Sequence, residues 1–335
     1  MCGGARGKLE EELSIKNPML LVGIGGAGSK IATAASAALE CKCLLISNDK
    51  KDLVYNDRCT GIFVSCGEWV NPSSYKLRSF VQAHQAEIGA AMSGYSTVIL
   101  ISNFGGRAGT AIAPLVCRMA KESTTAVISL TIMPFRYEKD RIFNAGTALR
   151  RVREVSDSTI VMDNDAFLDN NPELSQQECF TITNSAIIEV ICSISDGMIR
   201  PEMNVLCTSR ASRSSESSLR DSLAMLYDAV PDTSTVKRAM IYVMGAERMP
   251  VGELNKMVGY IQRIFQEDGA IEVGMIPSTS SSNGVRVHLV ASAPQKTRFD
   301  RYDPLGDIIP DVLDWDEPDS APDIKLAIPT IPSIE

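Results

Sequence analysis

The sequence predicts an α/β fold: a parallel sheet with helices on both faces, followed by a smaller α+β unit. Three observations carry this. Short apolar runs alternate with helical stretches from residue 19 to residue 162, and the runs are almost continuously apolar, as in strands buried on both faces. Two runs end in glycine-rich turns that open helices: Gly23-Ile24-Gly25-Gly26-Ala27-Gly28-Ser29 and, about eighty residues on, Asn103-Phe104-Gly105-Gly106-Arg107-Ala108-Gly109-Thr110. Other strand ends also carry polar or breaking residues, Asn48, Pro134 and Asp163, and ligands of open α/β sheets bind outside such ends.

Taken in order, residues 19–22 form a short strand before the first glycine turn, and residues 30–39 an Ala-rich helix. Strands follow at 43–47 and 61–65, then a helix over 75–92. The strand at 97–101 delivers the second turn, whose helix runs over 111–121. A strand at 126–132, a helix at 139–155 and a strand at 158–162 complete the alternation. Residues 183–194 make a strongly apolar central helix. The last folded part reads helix 217–228, strand 238–244, helix 251–266, strand 270–275, a Ser/Gly loop at 278–284 and strand 285–291. From Asp300 onward, ten acidic residues stand against Arg301 and Lys325, and prolines recur; this reads as a tail with no packed core.

Composition narrows the function. The chain has 335 residues and a net charge of −8, all of it accounted for by the acidic tail. With no basic field, nucleic-acid binding is not expected, and no apolar run is long enough for direct membrane insertion. Nine cysteines contain no CxxC pair and several lie inside apolar runs, the usage of a reducing cytoplasm; Cys41 and Cys43 read as core. Two distant histidines give no metal site.

A strand, a glycine turn and a helix together aim backbone N–H groups at an anion. Two such turns on one chain suggest a phosphate chain held from both sides. Gly23-x-Gly25-x-x-Gly28, with Asp49 ending the next strand, also fits a dinucleotide fingerprint and keeps an NAD(P)-dependent Rossmann oxidoreductase as an alternative. The P-loop pattern fails, because the run ends Gly28-Ser29-Lys30. The second glycine turn is what the dinucleotide reading leaves unexplained.

In order along the chain, these loops resemble those of FtsZ in the tubulin superfamily. Gly105-Gly106-Arg107-Ala108-Gly109-Thr110-Ala111-Ile112-Ala113-Pro114 is similar to that family's Gly-Gly-Gly-Thr-Gly-Thr-Gly-Ala-Ala-Pro phosphate loop. Pro134-Phe135-Arg136-Tyr137-Glu138 is similar to its Pro-Phe-x-Phe-Glu, and Asp163-Asn164-Asp165 sits where it has Pro-Asn-Asp. Phe180 and Asn184 occupy the Phe and Asn positions at the head of the central helix. The resemblance implies a Rossmann-type sheet domain, a long central helix and a smaller α+β C-terminal domain. It implies a GTP or GDP site made of Gly25, Gly26, Ala27, Lys30, Asp49, Gly105, Gly106, Arg107, Ala108, Gly109, Thr110, Pro134, Glu138, Asn164, Phe180 and Asn184. Glu138 would contact the ribose, Asn164 the guanine, and Phe180 would stack on the base. The domains expected on this basis are a polar extension (1–17), a nucleotide-binding domain (18–182), the central helix with its loop (183–209), an α+β domain (210–295) and the acidic tail (296–335).

Departures from the family weaken the enzyme. In FtsZ a loop after the central helix carries Asn-x-Asp-x-x-Asp into the neighbour's nucleotide. The matching run here is Met203-Asn204-Val205-Leu206-Cys207-Thr208-Ser209, with Asn204 kept but Leu206 and Ser209 in place of the carboxylates. Neither can act as a base or hold a cation. Ser185 replaces the Asp that pairs with guanine, Lys30 an Asn, Arg107 a Gly and Ala108 a Thr. Arg107 either adds a forked anion contact or fills the γ-phosphate space. The expectation is an FtsZ-like cytoskeletal scaffold that assembles with itself or an FtsZ-type paralogue and hydrolyses little. The alternative is a pseudo-GTPase that has lost nucleotide and works by protein contacts. The terminal segment, Ile324 through Glu335, is similar in layout to the FtsZ tail that docks membrane anchors and regulators.

Overall fold

The computed structural model describes residues 13–303, apart from 70, 125, 166–167, 169–170, 196, 200–202, 237, 246–248, 265–269, 277–283 and 294–296. The polar extension before residue 13, the expected Ser/Gly loop and the tail from residue 304 lie outside the described residues, almost wholly in the case of the loop.

The elements in order are β1 (Leu13–Ser14), β2 (Met19–Ile24), α1 (Gly25–Leu39), β3 (Lys42–Ser47), β4 (Cys59–Phe63), α2 (Ser74–Ala83), α3 (Gln85–Met92), β5 (Thr97–Asn103), α4 (Arg107–Ser123) and β6 (Ala126–Met133). They continue with α5 (Lys139–Val155), β7 (Ser158–Asp163), α6 (Gln176–Ile194), β8 (Met198–Ile199), β9 (Met203–Thr208), α7 (Ser215–Ala229), β10 (Arg238–Met244), α8 (Val251–Ile264), β11 (Ala270–Ile276) and β12 (Arg286–Ser292). The expected helix over 75–92 is divided at His84, whose non-helical backbone separates α2 from α3.

Ten strands form one sheet in the order β11-β10-β12-β9-β7-β6-β5-β2-β3-β4. The run from β9 to β4 is parallel throughout. Its central strands β2, β5, β6 and β7 are buried along their whole length but for the last residue of β5, in keeping with their mainly apolar sequences. The C-terminal strands are not a separate sheet: β9 pairs with β7 through Val161–Val205 and Met162–Leu206, then antiparallel with β12. Apart from this sheet, β1 pairs with β8 in a two-stranded ladder, so part of the expected polar extension is a strand.

Two expectations need correction here. The run Met203–Thr208, read as a degenerate loop, is a buried strand in the interior of the sheet. Its apolar Val205-Leu206-Cys207 stretch gains more from burial than any loop would offer. The acidic tail also begins later than residue 296. Arg298–Tyr302 forms a 3₁₀ turn, capped reciprocally by Thr297 and Asp300, with Phe299 fully buried. This strap is fixed by ion pairs of Arg298 with Asp163 and Asp228 and of Arg153 with Asp300.

Candidate functional site

The two glycine turns meet at the carboxyl ends of β2 and β5. Gly25 starts α1 with φ +65°, a left-handed conformation that favours glycine, and a Cβ there would stand 3.0 Å from Cβ of Ala108. At the second turn Asn103 organises the backbone. Its Oδ1 accepts from Gly105 N–H (2.8 Å) and its carbonyl from Gly106 N–H (3.2 Å). That carbonyl also lies so near Gly109 that an added Cβ would come within 2.0 Å of it.

The way the helices start is informative. α2, α6 and α7 begin at serines whose hydroxyls accept from first-turn N–H groups. α1 and α4 begin at the glycine turns with no side-chain cap. Their first-turn N–H groups and the positive ends of two helix dipoles therefore remain for an outside acceptor, and the two starts adjoin. That arrangement suits an anion such as a phosphate chain.

Around this cradle the structure gathers several of the expected residues. Gly25, Gly26 and Ala27 form its first wall, and Gly105, Gly106, Arg107, Ala108 and Gly109 its second. Pro134 and Glu138 close in on Gly105, the Glu138 carboxylate lying 3.4 Å from where its Cβ would be. Glu138 is held by Phe135 N–H (3.0 Å) and Arg141 (2.5 Å). Phe135 is buried and sits 5.5 Å from the half-buried ring of Phe180, which joins the cradle to the head of α6. Asn184 lies one turn further along α6, half-buried, as does Ser185. Arg107 is exposed and donates to the Asn71 carbonyl (3.2 Å), spanning from the second turn to the loop before α2.

Other expected residues are placed elsewhere. Asp49 is exposed and its carboxylate caps Lys51 N–H (2.9 Å) in a short 3₁₀ turn. The acid beside the first glycine turn is Asp52, whose Oδ1 would be 2.8 Å from a Cβ on Gly26 and whose Oδ2 accepts from Ser47 (2.7 Å). The 3₁₀ turn that swaps these positions is a local event, and Asp52 within Asp49-Lys50-Lys51-Asp52 is its only sequence signal. Thr110 turns its hydroxyl back to the carbonyls of Gly106 and Arg107, away from any ligand. Asn164 is buried, with Nδ2 on the Met133 carbonyl (3.1 Å) and Oδ1 accepting from Thr183 (3.0 Å), so its amide ties β6 to α6. Lys30 is exposed on α1.

The remnant of the expected catalytic loop has a structural role. Asn204 clasps the backbone of Ala293 in both directions (2.8 and 2.9 Å). Leu206 is core, and the buried Ser209 hydroxyl accepts from Val287 N–H (3.0 Å). Beyond this, Glu189 of α6 pairs with Arg286 and with the buried His288 (2.6 Å), whose other ring nitrogen meets Thr208 (2.7 Å). This couple anchors the central helix to β12 and β9. Among the described residues no group of three or more His, Cys, Asp or Glu could hold a metal ion. Nor is any helix among them long and apolar enough to cross a membrane.

A largely parallel sheet with two adjoining, uncapped helix starts at its carboxyl edge is an arrangement that suits a phosphate-bearing ligand. Comparison with known proteins makes this specific. Residues 18–172 match the Tubulin/FtsZ family, GTPase domain. The chain is 28% identical over 193 residues to cell division protein FtsZ 2 of Halobacterium salinarum, covering 55% of this chain and 49% of that protein. It thus spans about half the length of that relative. The fold is similar to that of an empty FtsZ dimer from M. jannaschii, with TM-score 0.67, 21% identity, and 84% of this chain and 89% of that one covered. It is also similar to a GTPγS-bound protofilament of CetZ2 from Haloferax volcanii, with TM-score 0.61, 18% identity, and 85% and 97% coverage. Residues 18–172 are thus similar to a Tubulin/FtsZ GTPase domain, and the chain as a whole is FtsZ-like in fold.

Proposed function

We propose that the protein is a cytoskeletal scaffold that holds GTP or GDP statically in the paired-turn cradle and assembles, with itself or an FtsZ-type paralogue, with little or no hydrolysis. The observation that carries this reading is the contrast between the intact cradle and the run after α6. Two uncapped helix starts adjoin at Gly25 and Ala108, while the positions expected to bear catalytic carboxylates are Leu206 and Ser209 in and beside a buried strand. A group sealed in a sheet cannot polarise water in a neighbouring subunit. The GTPγS-bound protofilament of the CetZ2 relative supports assembly around nucleotide as the mode of action. In the cradle, Arg107 would offset phosphate charge, Glu138 would take a ribose hydroxyl, and Phe180 would stack on the base.

The test uses the purified full chain. Nucleotide released after gentle purification is identified by mass spectrometry, and phosphate release and sedimentation are followed against protein concentration. Bound GDP or GTP, with assembly but without concentration-driven turnover, is expected. Turnover climbing with concentration would overturn the slow-hydrolysis part. A chain that is empty both as wild type and as Arg107→Gly would overturn nucleotide binding and leave the protein-contact reading.

A further inference from the structure

Beside the cradle, charged residues close a ring. Arg298 of the strap pairs with Asp163 at the end of β7 and with Asp228 of α7. Asp228 also holds Arg136 (2.9 Å), which lies in the loop between β6 and α5. Arg136 in turn gives its backbone N–H to Asp165, and its guanidinium stands 3.8 Å from the same carboxylate. Asp165 returns to the start by donating its own N–H to Asp163 (2.9 Å). The ring therefore ties together the strap, the end of β7, α7 and the β6–α5 loop.

One part of the ring is sealed and another is open. Asp163 and Asp165 are buried and the Arg298 side chain is 12% exposed, whereas that of Arg136 is 48% exposed. Burial pulls the Arg298 guanidinium down to about 10, which leaves it charged at neutral pH. Charge-assisted pairs in such a setting fix geometry, because removing one partner leaves the others charged with little water to compensate.

What the ring holds is the loop that closes the cradle. Within Pro134 to Glu138, Arg136 belongs to the ring while Phe135 and Glu138 belong to the cradle. Phe135 is buried and its N–H bonds the Glu138 carboxylate (3.0 Å), so the three residues move together or not at all. The strap is a firm support for Arg298. Phe299 is buried, and Asp300 and Asp303 pair with Arg153 (2.6 Å) and Arg150 (3.4 Å) of α5.

We propose that Arg298 is a positioning residue for the cradle: through Asp228 and Asp163 it sets Arg136, and Arg136 sets the loop that places Glu138. The inference rests on the nucleotide reading for what Glu138 meets, but the coupling itself belongs to the ligand-free chain.

The test follows amide exchange by mass spectrometry in the full ligand-free chain. Arg298→Met should speed exchange over residues 135–138 about tenfold and leave β2 and β5 unchanged, with part of the protection kept in Arg298→Lys. Arg153→Met cuts a strap ion pair outside the ring and should leave residues 135–138 as in the wild type. Coupling is reciprocal, so Arg136→Met, at the open part of the ring, should speed exchange over residues 298–302 by about the same factor. That arm decides the matter if Arg298→Met does not fold. Where the wild type binds GDP, Arg298→Met should also release it about tenfold faster. Unchanged exchange over 135–138 in Arg298→Met, or over 298–302 in Arg136→Met, would overturn the proposal. So would an equal effect of Arg153→Met, since the strap as a whole, and not Arg298, would then be the support. A wild type that binds no GDP would count against the nucleotide reading alone, because the exchange arms need no ligand.

Discussion

The two ends of the central helix α6 have fared differently. At its head, the cradle keeps the architecture that an anion site requires: glycines where backbones touch, uncapped helix starts, and an aromatic pair leading to Phe180. At its foot, the run that resembles a catalytic loop has become β9, stapled by Asn204 to Ala293 and sealed between β7 and β12. Binding geometry made of backbone tolerates changed side chains. A catalytic loop made of two carboxylates does not survive their replacement, and its backbone is then available for the core.

The largest test of this contrast is to restore the acids. Leu206→Asp with Ser209→Asp should destabilise the protein by about 4 kcal/mol or more in urea unfolding, because unpaired carboxylates would be placed inside the sheet. No gain in phosphate release should accompany it; a stable double variant with turnover would break the comparison. A smaller effect separates structural from ligand-facing glycines at the head. Gly109→Ala would push a Cβ to 2.0 Å from the Asn103 carbonyl and should cost about 3 kcal/mol. Gly106→Ala meets nothing nearer than 3.6 Å and should cost under about 1 kcal/mol. Equal losses for the two would deny the distinction. The smallest effect changes no stability at all. Among the described cysteines, half-buried Cys41 and Cys192 should label first with a thiol reagent. Burial pushes the Cys117 thiol up to about 12 and raises that of Cys207 on β9 as well, so neither should react in the native protein. Early labelling of Cys207 would mean that the segment is an exposed loop after all.

Much of the fold was legible because its signals are local and repeated. The strands β2, β3, β5, β6 and β7 are apolar runs closed by turns, and α5 and β10 occur at the expected residues. Both glycine turns were legible for the same reason: a strand, glycines and a helix in succession. What escaped depends on partners distant in sequence. Asn204 drew β9 toward a loop motif, although Val205-Leu206-Cys207 already had the character of a core strand. The strap was hidden by its acidic neighbourhood, since only the folded arrangement brings Arg298 to Asp163 and Asp228, 135 and 70 positions away. Asn164 reads as a base contact in sequence, and only the fold shows that its amide also bonds the Met133 carbonyl and Thr183.

The ladder that β9 shares with β7 has a mechanical consequence. Load applied across the molecule passes through one continuous hydrogen-bonded ribbon, without a hinge between its two parts. If subunits stack end to end, each one behaves as a stiff link, and bending of the polymer is concentrated in the joints between links.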